Sequence, residues 1–191
     1  MKPAKAITWT AKAIQHALAV QFNFFKYCMV PNIYLGRNDE MDLAILTPSK
    51  ILWEVEVKIS LQDWKRDLSK TKWLNELHDH SPARFYYAVP ECLVPMNDSN
   101  QHIIPDWVPI HAGVAVILNT RKRVSGNDGV QVITDVPKVR ILRAAKSLHR
   151  NKLPEKYVDE MYRKLSVRYW KHVRKGMPSV DVTIPEVKDG T

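Results

Sequence analysis

The chain has 191 residues, 45% of them hydrophobic, and a formal net charge of +9. That is enough sequence to bury a core as one domain without disulfide staples, and the apolar content excludes a disordered or fibrous chain. No apolar run approaches the roughly 20 residues that span a bilayer, and the positive charge favours a polyanionic partner.

The first ten residues, MKPAKAITWT, start basic but carry no continuous apolar segment or cleavage site, so no signal peptide is expected. Cys28 and Cys92 lack metal-ligand spacing and fit a reducing, cytoplasmic compartment, both as core filler. Thr8 to Phe22 puts Ile14, Leu18 and Phe22 on one side of an amphipathic helix, with Thr8 or Thr10 as its cap. Either Gln15 or His16 on that helix could face the site, with a solvated position the expected one. Cys28 to Leu35 reads as a short strand interrupted by Pro31, which suits an edge or a bulge. Gly36 to Asp39 is then a turn, with Arg37 an ordinary surface arginine.

The organising stretch is Asn38 to Trp73. Met41–Leu46 and Ile51–Ile59 are apolar runs joined by a turn at Thr47-Pro48-Ser49-Lys50, which predicts a β-hairpin. In the second strand Trp53, Val55, Val57 and Ile59 point one way, and Glu54, Glu56 and Lys58 the other. With the turn centred on Pro48 and Ser49, Asp42 is expected opposite Val55, between Glu54 and Glu56. Glu40 shares the face of Asp42 as a reserve carboxylate. Carboxylates this close repel one another, and a divalent cation removes the repulsion by bridging them. Oxygen ligands suit Mg²⁺ or Mn²⁺, and such an ion polarises a phosphate and acidifies a bound water. A lysine on the same face can hold or deprotonate that water. This is phosphodiester-hydrolysis chemistry. The same alternation also describes a half-exposed strand with surface ion pairs, and a Glu-x-Lys by itself does not decide between them.

Ser60, with Asp63 three residues on, reads as a capping-box variant that opens a helix to about Leu77. Lys65, Arg66, Lys70 and Lys72 on this helix could track a nucleic-acid backbone, while Trp64 and Trp73 are expected as core anchors. His78-Asp79-His80 lacks further Cys or His for a zinc site and reads as a polar helix end. Arg84 to Val89 is a strand ended by Pro90, and a right-handed crossover sets it parallel to the Glu56 strand. Glu91 to Pro109 reads as a long loop. Gly113 to Leu118 and Val130 to Thr134 form a second hairpin, joined by the basic turn Asn119 to Gly129, with Arg121, Lys122 and Arg123 as phosphate contacts.

From Lys138 to Lys175 there are thirteen Lys and Arg against Glu155, Asp159 and Glu160, a surplus of ten that leaves the first two-thirds close to neutral. Ala144 to Leu148 is expected to begin a short helix. Pro154 opens a longer one to about Val173, with Tyr157, Met161, Leu165 and Tyr169 as its core stripe. Arg163, Lys164, Arg168 and Lys171 decorate its outside as nucleic-acid contacts, and Ser179 to Thr191 is a mobile tail. A single domain over residues 1–175, followed by a flexible tail over 176–191, is the expected organisation.

Asp42 followed by Glu56-Val57-Lys58 resembles the PD-(D/E)XK pattern of the restriction-endonuclease-like nucleases. The run Glu56-Val57-Lys58-Ile59-Ser60, then Asp67, Lys72-Trp73 and Arg84-Phe85-Tyr86-Tyr87-Ala88-Val89-Pro90, resembles the MmcB-type DNA-repair branch of that superfamily, well over about residues 37 to 90 and loosely over 105 to 165. The resemblance implies an α/β fold with a central mixed sheet flanked by helices, and a Mg²⁺- or Mn²⁺-dependent deoxyribonuclease. In it Asp42 and Glu56 hold the metal, the Val57 carbonyl adds a ligand, and Lys58 serves the water. Glu54 shares the face of Glu56 and stands as its alternative or supplement, and Gln62 supports the site. In many nucleases of this type the first helix precedes the hairpin and sometimes donates an acid to the metal; here it carries no Asp or Glu. DNA is the expected partner, with RNA kept open, and a homodimer is compatible with cutting both strands. A different class, a nucleic-acid-binding module without catalysis, uses the same basic segment. A helix-turn-helix reader in 138–175 lacks a convincing turn between two helices.

Overall fold

The computed structural model describes residues 9–36, 40–67, 78–125 and 131–174, with the backbone alone for 121–125, 131–135, 170, 173 and 174. The strands are β1 (Cys28–Ile33), β2 (Met41–Leu46), β3 (Leu52–Val57), β4 (Arg84–Pro90), β5 (Gly113–Ser125) and β6 (Gln131–Arg143). The helices are α1 (Ala11–Gln21), α2 (Leu61–Asp67) and α3 (Glu155–Arg174). The strands form one mixed α/β sheet in sequence order. β3, β4 and β5 run parallel as neighbours, as expected for the strand after α2, and the remaining pairs are antiparallel.

Period-two alternation assigns each face of the sheet. On one face Leu43, Ile45, Val55, Val57, Tyr86 and Ala88 bury against Ile14, Ala17 and Leu18 of α1. The Thr10 hydroxyl caps that helix by accepting the Ala13 N–H at 3.2 Å. The opposite face carries two separate apolar clusters. Val30, Ala44, Leu46 and Leu52 pack under Val158 and Met161 of α3, and Phe85, Tyr87, Val89 and Val114 pack under Trp64 of α2. Trp64 is fully buried, the core anchor its position predicts; truncation to alanine costs about 3–5 kcal/mol. Ser60 accepts the Asp63 N–H at 3.2 Å and starts α2 as its pattern predicts. Between the two clusters run Glu54, Glu56 and Lys58, so the polar stripe of β3 lies under protein rather than water.

β1 is an edge strand, and Asn32, just after Pro31, takes φ 50°, the irregularity that a strand proline invites. Several expectations are corrected. The basic turn expected over Asn119 to Gly129 is strand as far as Ser125, so Arg121, Lys122 and Arg123 lie on β5; their side chains are outside the described residues. β6 extends to Arg143 and passes through Pro137, which an edge strand tolerates. Residues 144–148 are not helical: the Lys146 N–H donates to the His111 carbonyl and the Leu148 N–H to that of Ala83, binding this segment to other loops.

On α3 the buried stripe is Val158 and Met161, flanked by Tyr157 and Leu165, while Tyr169 is 61% exposed. A run spaced by four rotates about 40° per step around a helix of 3.6 residues per turn, so its fourth member leaves the core face. Cys92 is exposed rather than core filler; Cys28 is half-buried, and burial pushes its thiol up to about 11. No helix among the described residues is long and apolar enough to cross a membrane. The turn at Arg37–Asp39, the expected extension of α2 to Leu77 with Lys70, Lys72 and Trp73, and the tail lie outside the described residues.

Candidate functional site

The geometry starts from the β2–β3 turn. The Thr47 N–H donates to the Ile51 carbonyl at 3.0 Å, the Lys50 N–H to the Thr47 carbonyl at 2.9 Å, and Lys50 takes φ 61°. This is a three-residue loop whose last residue forms a left-handed bulge. It holds one more residue than the expected turn and therefore moves the register by one. Leu46 pairs with Leu52 and Leu43 with Val55; continued one step, the ladder places Asp42 across from Glu56. The expectation that Asp42 faces Val55 is corrected. A one-residue slip changes which face a side chain occupies, and here it sets Asp42 on the face of Glu54, Glu56 and Lys58.

Asp42 Oδ2 accepts the Val57 N–H at 2.8 Å. Burial, then the charge of Glu56 and a carboxyl–carboxyl hydrogen bond with it, push Asp42 up to about 6 against the opposing pull of Val57 N–H and Lys58. Lys58 Nζ donates to Glu56 Oε2 at 3.2 Å and to Asp67 Oδ1 at 3.1 Å. The Tyr87 hydroxyl donates to Asp67 Oδ2 at 3.0 Å. Burial alone would lower the pKa of Lys58, but Glu56 and Asp67 outweigh it and hold the ammonium above its ordinary value. Tyr87 is held far above its ordinary range by burial and by Asp67, so it remains a neutral donor. Glu54, Glu56, Lys58 and Asp67 are 1%, 4%, 4% and 2% exposed. A half-exposed surface strand does not look like this. Among the described residues four carboxyl groups gather with one lysine on this seam, a setting in which a proton or a cation offsets the repulsion of like charges.

Asp67 is the member whose role sequence reasoning missed. Its signal was its spacing: three residues after the core-facing Trp64, it shares the buried side of α2. Gln15 is a second surprise. Instead of facing solvent, its Nε2 donates to the Asp42 carbonyl at 2.7 Å and to Asn32 Oδ1 at 2.6 Å, tying α1 to the strand beneath the site. His16 is exposed as expected.

The other expected residues divide clearly. Glu54 lies buried on the seam. Glu40 precedes β2, is exposed, and accepts the Tyr34 hydroxyl at 3.4 Å, so it stands apart from Asp42. Gln62 is exposed on the first turn of α2, and Asp67 is the residue of that helix that reaches Lys58. Lys65, Arg163 and Lys171 are exposed. Lys164 donates to the Tyr34 carbonyl at 2.8 Å and pairs with Glu160 at 2.9 Å. Arg168 donates to the carbonyls of Pro31 and Asn32. These two cations fasten α3 to β1, a structural task the charge count does not reveal.

The donor set suits a hard, oxygen-seeking cation. Asp42 lies across from Glu56, and the charge of Glu56 raises the Asp42 pKa, the repulsion that a bridging cation would relieve. Among the described residues no three His, Cys, Asp or Glu side chains converge as a complete metal cage. Mg²⁺ needs no such cage, since it keeps several waters and uses one or two carboxylates with substrate phosphates. No family model matches the chain, and no curated protein matches it. Among solved structures it is similar to a protein of unknown function from Silicibacter pomeroyi, at 16% identity and a TM-score of 0.52, over 90% of this chain and 92% of that one. At that identity the likeness bears on the fold.

Proposed function

We propose that the chain is a Mg²⁺- or Mn²⁺-dependent deoxyribonuclease of the PD-(D/E)XK, restriction-endonuclease-like type. The observation that supports this reading is the seam itself: Asp42 across from Glu56, with Lys58 two residues on, all on one buried face. Asp42 and Glu56 would hold the cation through their carboxylates, and the Val57 carbonyl would offer a further oxygen. When bound, the ion supplies charge neutralisation at the scissile phosphate and lowers the pKa of its water.

The protein's own groups do the rest. Asp42 must release its proton to become a ligand, and the Val57 N–H stabilises the anion it then becomes. Lys58, held cationic by Glu56 and Asp67, orients the attacking water and offsets charge on the pentavalent phosphate as a hydrogen-bond donor. That assigns Lys58 electrostatic work rather than proton removal. Exposed Lys65, Arg163 and Lys171 are available for backbone phosphates.

The test is cleavage of supercoiled plasmid, linear single strands and a branched substrate in Mg²⁺, Mn²⁺ or EDTA, with Asp42→Asn alongside. Metal-dependent cutting that Asp42→Asn loses supports the nuclease. Salt-sensitive binding without cutting by either protein turns the reading to the non-catalytic nucleic-acid-binding module.

A further inference from the structure

A hollow of about 450 Å³ opens at the start of β3, lined among others by Thr47, Ser49, Trp53, Arg84, Arg150 and Lys152. Trp53 belongs to the α1 side of the sheet, so the hollow lies on the face away from Glu54, Glu56 and Lys58. Among the described residues no carboxylate lines it.

Its rim is a pinned strap, residues 144–153. The Lys146, Leu148 and Leu153 amides donate to the carbonyls of His111, Ala83 and Lys50 at 3.0, 2.9 and 2.7 Å. His149 Nδ1 accepts the Asn151 N–H at 3.1 Å, which leaves the ring proton on Nε2 to donate to the Ser81 carbonyl at 3.0 Å. This imidazole is a staple. Arg150 and Lys152 project exposed from the strap.

On the opposite wall, half-buried Arg84 pairs in register with Trp53 and sits 5.6 Å from its ring centre. One guanidinium nitrogen donates to the Ala145 carbonyl at 2.9 Å. Among the described residues Arg84, Arg150 and Lys152 have no carboxylate partner, whereas Lys50, Lys58, Arg66 and Lys164 each have one. Three unpaired cations around one hollow repel each other, and an anion relieves that repulsion. The planar forks of Arg84 and Arg150, with the Ser49 hydroxyl, match the tetrahedral oxygens of a phosphate.

We propose that this hollow binds a phosphate group, supplied either by the backbone of a nucleic-acid strand or by a free or terminal phosphate. The site is independent of the seam around Asp42 and needs no metal. The full chain is titrated in EDTA at low salt with inorganic phosphate, with a short single-stranded DNA bearing hydroxyls at both ends, and with the same strand 5′-phosphorylated.

The expected result is binding that Arg150→Ala/Lys152→Ala weakens by about tenfold or more. Both side chains are exposed, and the strap is held by its backbone and His149, so this double variant keeps the fold. Arg84→Gln is expected to weaken binding likewise, with circular dichroism as its folding control. Preference for inorganic phosphate and the 5′-phosphorylated strand identifies a free or terminal phosphate. Equal binding of both strands, with a salt slope reduced by about two in the double variant, identifies the backbone. Unchanged affinity of the double variant for every probe, or no binding of any probe, overturns the proposal. Because EDTA is present, that failure leaves the cleavage reading untouched.

Discussion

The two ends of β3 handle charge in opposite ways. Toward its C-terminal end Glu54, Glu56 and Lys58 are buried with Asp67 beside half-buried Asp42, and the cation there is shared between two carboxylates. At its start Trp53 meets Arg84, Arg150 and Lys152 around an open hollow, and among the described residues none of these three has a carboxylate partner. Residues 53 and 54 are adjacent, yet their side chains enter opposite environments because a strand alternates faces. The difference teaches that net charge says little about either end. Within a chain of +9, the described residues gather carboxylates along the seam and cations around the hollow.

The sharpest break of this comparison removes the acidic end's capacity for a cation. Asp42→Asn or Glu56→Gln is expected to lower metal-dependent DNA cleavage by at least about a thousandfold, measured as single-turnover rates at saturating Mg²⁺. Either variant cutting at the wild-type rate removes the seam from the mechanism. Next in size is Asp67→Asn, which takes away one of the two carboxylates that hold Lys58. On the nuclease reading it is expected to cost about 10- to 100-fold in kcat with KM little changed. A change confined to KM would place Asp67 in substrate binding instead. Tyr87→Phe deletes the hydroxyl on the far oxygen of Asp67. Loss of this buried hydrogen bond to an ionised acceptor is expected to lower unfolding free energy by about 1.5–3 kcal/mol in urea melts.

Much of the architecture was legible because the local signals agreed with one another. Thr10 and Ser60 cap their helices, β4 runs parallel after α2, and Trp64 is core. The register of the central hairpin was not, because Lys50 occupies the left-handed position that glycine ordinarily marks, and Pro48-Ser49-Lys50 gives no such sign. That single residue decides whether Asp42 meets Glu56 or the opposite face. The full length of β5 and β6 was hidden by a basic, polar stretch that resembles a turn, and an edge-strand proline disguised the return. The strap at 144–153 depends on contacts distant in sequence, which no periodicity reports, and for Asp67 the spacing from Trp64 marks burial but not its partner Lys58. The work of Lys164 and Arg168, holding carbonyls of β1, was hidden for the same reason.

The smallest effect expected is also the one that separates a cation site from an ordinary buried ion pair. Asp42 is held at about 6 in the folded chain, above its ordinary 3.8, first by burial and then by Glu56. The native state therefore binds this proton more tightly than the unfolded state does. The Asp42 contribution to stability is then full below about pH 4, declines as pH rises from about 4 to 6, and is lost above that window. Asp42→Asn keeps an oxygen acceptor for the Val57 N–H while removing the charge. It is expected to raise the melting temperature of the metal-free protein at pH 7 and to flatten the fall in stability across that window. Added Mg²⁺ is expected to raise the wild-type melting temperature at pH 7 and leave that of Asp42→Asn nearly unchanged, because the cation does for the carboxylates what the amide does by being neutral. Asp42→Asn destabilising at pH 7 would instead mean that the Asp42 charge supports the fold through Lys58, and the seam would be a structural ion cluster. A variant that loses cutting while gaining stability is the combination that a site strained for function produces and a structural cluster does not.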